Sequence, residues 1–253
     1  MKIKTRPNLP EKLVFSAEIQ ALIEEAYGLF SFPIGDDLNV CKPCCISLER
    51  ERELVQTPVA NLSLSAIYDY LDAVHYDESG YEIKHFLPRI LELLAKGENI
   101  RHSTEIMLDK CHFEKSCWRE QELDFMWRFS GEFLKNVLAS SPKIDNAMNY
   151  ILMFDLAGLE TEHLLKIWQE TATESSLWHF VYFIHYEIDE EGIYNNPFSQ
   201  NPNFNQHITD WISSTNVKTI FLPQIEKLYF ENTNLTDKER YMLDDVYGRI
   251  EKL

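Results

Sequence analysis

Apolar side chains recur at intervals of three and four residues along most of the chain, the spacing of one face of an α-helix. The clearest case is segment 82–97, whose shared apolar face consists of Ile83, Phe86, Leu87, Ile90, Leu91 and Leu94. Gly97 is placed to cap its C-terminal end. Pro88 predicts that the helix begins near His85 or kinks there, because a proline deeper inside would remove a backbone hydrogen bond. We therefore expect a core helix, with a polar face that looks outward through His85, Arg89, Glu92 and Lys96.

Comparable patterns predict further helices, several of them in pairs joined by short connections. They cover segments 11–30, 63–75, 119–140, 143–157, 160–170, 175–188, 203–213, 217–230 and a last helix that opens with the capping box Thr236–Glu239. No alternating segment bounded by turns predicts a β-sheet. The sequence therefore predicts an all-α fold, an irregular array of antiparallel helix hairpins that is either solenoid-like or a globular bundle. We expect a single helical domain over 1–253, with a candidate subdivision near 192–203, where a long polar stretch interrupts the helices.

The charge balance limits the classes of partner. The chain carries 24 Lys and Arg against 41 Asp and Glu, a formal net charge of −17. Such a field repels nucleic acid and anionic membranes, and it either attracts a basic protein or serves solubility alone. The N-terminal residues contain no apolar block of signal-peptide length, and the longest apolar run is too short to span a bilayer. We therefore expect a cytoplasmic protein.

Five cysteines, an odd count without an export signal, predict reduced thiols or metal ligands rather than disulfides. Cys41-x-x-Cys44 has the spacing of half a zinc site, because two thiolates on a tight turn can both reach the metal. The segment 111–117 offers the other half. The predicted zinc ligands are Cys41, Cys44, Cys111 and Cys117, with His112 as an alternative. The competing interpretation is a set of partly buried reduced thiols.

Two further pairs match a metal-binding pattern. Glu82-x-x-His85 and Glu160-x-x-His163 both have the Glu-x-x-His spacing of di-iron carboxylate bundles. Both pairs fall in a predicted first helical turn, where glutamate also favours the helix dipole. Gly-rich phosphate loops, nucleophile elbows and His-Glu-x-x-His motifs are absent from the sequence. The sequence therefore favours a protein that is not an enzyme, with a di-metal carboxylate enzyme as the lesser alternative.

Several motifs in combination resemble a known group of proteins. They are Cys41-x-x-Cys44, the block His85-Phe-Leu-Pro-Arg-Ile-Leu-Glu-Leu-Leu94, Trp118-x-x-x-Glu122 leading into Phe125 and Phe133, and Leu159–Trp168. The chain resembles a family of uncharacterised bacterial proteins over residues 38–190, most specifically in Phe-Leu-Pro-Arg-x-Leu-Glu-Leu. It departs where a Trp-Gly pair would precede that block and Tyr76–Gly80 stands instead. The resemblance implies a bacterial cytosolic helical protein and no catalytic activity.

Charge and the missing catalytic motifs together predict an interaction protein, for example an immunity-type inhibitor of a basic toxin or of another basic partner. The densest acidic group is Glu187, Asp189, Glu190 and Glu191. Ile193, Tyr194 and Phe198 follow it in the polar stretch and are expected to be exposed. Because binding energy concentrates on aromatic anchors inside a polar ring, we predict that the four acids and Phe198 contact the partner. A zinc-stabilised helical protein is the alternative.

Overall fold

The computed structural model describes residues 13, 15–42, 44–142 and 146–253. In this part of the chain eleven α-helices and two short 3-10 helices include 63% of the residues, and the predicted all-α class is confirmed. The helices are α1 (Ala17–Leu29), α2 (Leu48–Gln56), α3 (Leu64–Asp72), α4 (Tyr81–Ala95), α5 (Glu120–Leu138), α6 (Ala147–Leu156), α7 (Glu162–Glu170), α8 (Glu174–Glu187), α9 (Pro202–Ser213), α10 (Thr215–Glu231) and α11 (Asp237–Lys252). No helix within these residues has the length and apolar character needed to cross a bilayer.

Helix α4 is the segment whose pattern was clearest, and it starts earlier than predicted. It begins at Tyr81 and continues through Pro88, so of the two predicted alternatives the start near His85 is wrong, and the kink stays a prediction. The preceding turn supplies the reason, because the Asp77 carboxylate accepts the backbone N–H of Glu82 at 3.1 Å. That bond satisfies one of the free donors of the first turn and lets the helix begin before the proline.

The ends of two helices follow the sequence closely. Gly97 has φ 72°, and the N–H of Glu98 reaches back to the carbonyl of Leu93 at 3.0 Å, which confirms the predicted glycine cap of α4. At α11 the Thr236 hydroxyl accepts the N–H of Glu239 while the Glu239 carboxylate accepts the N–H of Thr236. The predicted capping box is therefore confirmed.

The polar face of α4 is largely covered, contrary to the prediction that it looks outward. The Arg89 guanidinium donates to the Leu62 carbonyl at 2.9 Å, and the Tyr27 hydroxyl donates to Glu92 at 2.7 Å. The side chains of Arg89 and Glu92 are only 15% and 17% exposed. Arg89, Lys96 and the tyrosine hold the pKa of the Glu92 carboxyl at about 2 despite its partial burial. Neighbouring elements therefore occupy this face.

The chain divides into two compact units. The first comprises Phe15–Phe133 and Asn149–Leu164, and the second contains the described parts of Leu134–Met148 and Leu165–Leu253. The division falls inside α5, α6 and α7, and the stretch 192–203 lies within the second unit.

In the first unit α4 is the central element, because it contacts α1, α3 and the 3-10 turn 59–61. Its face carries Phe86, Leu87, Ile90 and Leu91, all fully buried. Phe86 packs against the ring of Tyr70 on α3, with centroids 4.3 Å apart. Removing this apolar surface from water stabilises the unit.

In the second unit α8, α10 and α11 contact one another, and α9 contacts α10. Their shared core is aromatic, with Phe180 stacked on Phe221 at 3.9 Å between centroids. Trp168 and Trp211 lie beside that pair, 5.5 Å apart. Offset and edge contacts between such rings add to the energy of burial.

Candidate metal centre

The Cys41-x-x-Cys44 motif lies in a short connection that is held against the end of α3. Val40 and His75 form an isolated antiparallel bridge. On either side of it, the Cys41 N–H donates to the Val74 carbonyl and the Tyr76 N–H donates to the Asn39 carbonyl, both at 2.8 Å. These backbone bonds bring Tyr76, which is distant in sequence, next to Cys41.

Acidic side chains hold the other parts of the connection. The buried Glu51 of α2 accepts the N–H of Leu38 at 2.8 Å and pairs with the ammonium group of Lys42 at 3.0 Å. Glu82 of α4 accepts the N–H of Asn39 at 2.6 Å. The backbone around the cysteines is thus fixed from α2 and from α4.

Three cysteine sulfurs converge at the end of this connection. The Sγ atoms of Cys41 and Cys44 are 3.1 Å apart, and those of Cys44 and Cys45 are 3.6 Å apart. All three Sγ atoms lie within 4.8 Å of one another. Cys44 is exposed, whereas Cys41 and Cys45 are half-buried. We call these three residues the thiol cluster.

Hydrogen bonds divide the thiol cluster into unlike sulfurs. The thiols of Cys44 and Cys45, the Cys44 backbone N–H and the Tyr76 hydroxyl favour the anion of Cys41, and they lower the pKa of its thiol. The contacts with Cys41 and Cys45 raise the pKa of the Cys44 thiol, because its proton is used in the bond to Cys41 and a nearby negative charge opposes its loss. Of these two sulfurs, Cys41 is therefore the one that favours the thiolate form more strongly.

The donor set fits a soft metal ion. A zinc–sulfur bond of about 2.3 Å at tetrahedral angles puts two sulfurs about 3.8 Å apart. The 3.6 Å between Cys44 and Cys45 is close to that separation, whereas Cys41 and Cys44 would have to move apart from 3.1 Å to hold the ion. Thiolates select zinc, copper(I) and iron–sulfur clusters over hard cations such as magnesium. Among the residues that the structure describes, this is the one group of three or more His, Cys, Asp or Glu side chains with such spacing.

The two other predicted zinc ligands lie outside this group. Cys111 is only 2% exposed, and burial raises the pKa of its thiol. Cys117 packs beneath Gly80, where an added Cβ would meet its sulfur at 2.9 Å. Cys111 and Cys117 thus have packing contacts of their own. The predicted four-ligand set of Cys41, Cys44, Cys111 and Cys117 stays a prediction.

The Glu-x-x-His pairs make ordinary structural contacts. Glu82 caps Asn39, and the His85 ring lies 2.6 Å from the Phe32 carbonyl through Nδ1. The His163 ring stacks on Trp127 at 4.0 Å and meets the Ser130 hydroxyl at 3.1 Å. Nothing in the described ranges brings the two pairs into one ligand group.

The predicted partner surface is only partly as expected. Asp189, Glu190 and Glu191 are exposed, whereas Glu187 is half-buried and hydrogen-bonded to Asn146. Phe198 is half-buried.

Of the apolar residues that follow the acids, Ile193 is 46% exposed, in agreement with the prediction. Tyr194 is only 2% exposed and packs against Phe183 and Phe204, so its predicted exposure is wrong. The isolated bridge between Ile188 and Tyr194 turns the tyrosine inward.

Sequence reasoning missed two members of this centre. The zinc ligands predicted from the sequence do not include Cys45, although a third cysteine adjacent to the motif was a usable signal. Tyr76 carried no local signal, because only the bridge at His75 brings it to Cys41.

Comparison with known proteins found no matching family model, no matching curated protein and no matching solved structure. The resemblance to uncharacterised bacterial proteins therefore stays a prediction.

Proposed function

We propose that this protein binds a thiophilic metal ion, in the first instance zinc, through the thiol cluster. The observation that supports the proposal is the convergence of the three sulfurs of Cys41, Cys44 and Cys45 within 4.8 Å. The thiol pKa of Cys41 is lowered, and the thiolate is the form that binds a metal ion.

Three protein ligands and an exposed Cys44 suggest the kind of site. Structural zinc sites are closed by four protein ligands, whereas a three-ligand site leaves a position for water or another molecule. Because Cys44 is exposed, that position faces solvent. The proposed site therefore suits a metal that is exchanged or that binds a further ligand.

Metal titration of the protein and of variants in which one cysteine is replaced tests this function. Reduced, metal-free protein is titrated with Co²⁺ as a spectroscopic substitute, and Zn²⁺ then competes. We expect one equivalent with thiolate-to-cobalt charge-transfer absorption, lost in Cys41→Ser, Cys44→Ser and Cys45→Ser. Cys117→Ser is the matched control and should bind as the parent does. Binding well below one equivalent in the parent would contradict the proposal.

The same series separates the thiol cluster from the wider zinc set predicted from the sequence. If Cys111→Ser and Cys117→Ser abolish binding while Cys45→Ser does not, the ligands are Cys41, Cys44, Cys111 and Cys117. Chelation should then also unfold the protein, because two distant connections would lose their link.

A second function is proposed for the turn Asp189–Glu191, which we call the acidic turn. Asp189 accepts the N–H groups of Glu191 and Ile193 at 2.9 and 2.8 Å, so the turn is fixed while its three acids stay exposed. Together with the net charge of −17, this favours a basic partner protein, such as a toxin that an immunity protein would inhibit. Phe198 would supply an apolar contact beside the charges.

Binding to the product of a neighbouring gene at low and high salt tests the acidic turn. Asp189→Asn, Glu190→Gln and Glu191→Gln together should slow association and flatten its salt dependence, whereas Phe198→Ala should mainly speed dissociation. The matched control removes three exposed acids elsewhere, as Glu18→Gln, Glu49→Gln and Glu78→Gln. Equal effects of the two triple variants would show that only the overall charge matters.

A further inference from the structure

The thiol cluster also has the geometry of a dithiol that is close to forming a bond. The sulfurs of Cys41 and Cys44 are 3.1 Å apart, and a disulfide needs about 2.05 Å. Only two residues separate the two cysteines along the chain, so a bond between their sulfurs closes a short loop within the connection and includes no helix. The backbone on the Cys41 side stays fixed by the Val74 carbonyl.

We propose that Cys41 and Cys44 carry out thiol–disulfide exchange and form a reversible intramolecular disulfide. The co-reactant is an accessible disulfide compound RSSR, for which glutathione disulfide is the probe. This activity goes beyond metal binding and does not depend on it, although both use the same sulfurs.

Accessibility assigns the order of the steps. Cys44 is exposed, so an incoming disulfide reaches its sulfur first. Either sulfur can donate in the Cys41–Cys44 contact, so the single negative charge of the pair lies on Cys44 when the remaining proton is on Cys41. In that form the Cys44 thiolate attacks one sulfur of RSSR, the S–S bond of RSSR breaks, and RS⁻ leaves and takes up a proton from solvent to become RSH. The half-buried Cys41 then gives up its proton, attacks Cys44 Sγ and expels the second RS⁻, which takes up that proton to become RSH. Protein dithiol and RSSR thus give protein disulfide and two RSH, and the two electrons lost by the cysteines reduce RSSR.

Cys41 rather than Cys45 completes the exchange. Cys45 Sγ is 3.6 Å from Cys44, which is farther than Cys41. A disulfide between adjacent residues also closes a very small ring, and such departures from preferred geometry store strain. The third thiol is therefore left reduced, and a metal held by the cluster would lose two of its three protein ligands.

The test uses the full chain, reduced and freed of metal, in anaerobic glutathione buffers of graded redox ratio. After quenching with an alkylating reagent, intact mass and peptide mapping identify the modified cysteines. We expect loss of two alkylation sites and a disulfide between Cys41 and Cys44. Cys41→Ser should stop at a glutathione adduct on Cys44, and Cys44→Ser should form neither product. Cys45→Ser and Cys117→Ser should behave as the parent, and circular dichroism checks that each variant is folded.

Other products would overturn the inference. A disulfide that contains Cys45, or glutathione adducts on both Cys41 and Cys44 without a bond between them, contradicts the assigned pair. The assigned pair is also contradicted if Cys41 and Cys44 both remain free thiols across the whole range of redox ratios. The cobalt titration of the reduced protein is independent of this readout, so a failure of metal binding and a failure of exchange are told apart.

Discussion

A buried ion pair between α4 and the start of α5 shows what a single residue contributes. The Lys84 ammonium donates to Glu122 at 2.6 Å and to the Cys117 carbonyl at 2.5 Å, and it lies 4.8 Å from the centre of the Trp118 ring. The side chains of Lys84 and Glu122 are 4% and 0% exposed. Taking both charges out of water costs free energy, and their mutual attraction offsets that cost only while both partners are present.

We predict that Lys84→Met is strongly destabilising, by about 3 to 5 kcal/mol, because it leaves the Glu122 carboxylate buried without its cation. Urea unfolding at pH 7 measures this. The double variant Lys84→Met with Glu122→Gln should recover much of the loss. Arg128→Met is the control: its pair with Glu25 is 45% and 44% exposed, so its loss should change the free energy of unfolding by at most about 1 kcal/mol. Equal effects of the two single variants would refute the argument.

His179 on α8 predicts a pH dependence. Its side chain is fully buried, and burial lowers its pKa from 6.5 to about 4. Between those values the unfolded chain binds a proton that the folded chain does not, so stability falls as pH decreases from 6.5 to 4. At pH 5 the loss relative to pH 7 from this residue is about 2 kcal/mol.

Urea unfolding of the parent and of His179→Gln at pH 7 and pH 5 checks this prediction. The variant should lose about 2 kcal/mol less than the parent over that interval, since the other titrating groups are common to both. A parallel pH dependence in the two proteins would mean that His179 is not the group responsible.

At the scale of elements, the turn that precedes α4 packs against the segment that contains Cys117. Gly80 has φ 72°, and an added Cβ would meet the Cys117 sulfur at 2.9 Å. Glycine is needed there for both reasons, its conformation and its lack of a side chain. Gly28 in α1 differs, because an added Cβ would have no atom within 4 Å.

We therefore predict opposite signs for two identical substitutions. Gly80→Ala should destabilise by about 1 to 3 kcal/mol because of its left-handed conformation and the close sulfur. Gly28→Ala should stabilise by about 0.5 to 1 kcal/mol, since alanine is the better helix former. Thermal and urea unfolding measure both. Adding Cys117→Ala to Gly80→Ala should recover only the steric part, and complete recovery would show that the backbone conformation is not strained.

For the whole molecule the dominant property is the excess of 41 acidic over 24 basic residues. Like charges repel one another in the compact state. Salt screens this repulsion, because the Debye length at ordinary ionic strength is shorter than the diameter of a domain. Exposed ion pairs each contribute little in the opposite direction. Net repulsion should therefore govern how this protein responds to salt.

We predict that the free energy of unfolding in urea rises when NaCl is raised from about 10 to 300 mM, because the Debye length shrinks from about 30 Å to below 10 Å. The variant with Glu18→Gln, Glu49→Gln and Glu78→Gln carries three fewer negative charges and should show a smaller rise. Stability that is constant or falls with salt would mean that the native ion pairs outweigh the repulsion.

Most helices and several of their ends were predictable because their signals are local. The periodicity of segment 82–97, the glycine after it and the capping box at Thr236 act within one or two turns, and the structure has each of them. The start of α4 was misplaced because Pro88 was weighed without the Asp77 cap, which comes from the preceding turn.

The sequence by itself determined the all-α class, the central place of α4 and the presence of a cysteine-rich connection, because spacing along the chain sets which side chains share a helix face. Only the tertiary structure decided that Cys45 and Tyr76 join Cys41, that the polar face of α4 is covered, and that Lys84 meets Glu122. Each of these depends on backbone bridges or packing between segments distant along the chain, and no periodicity or local motif encodes which of many polar partners a folded side chain will meet.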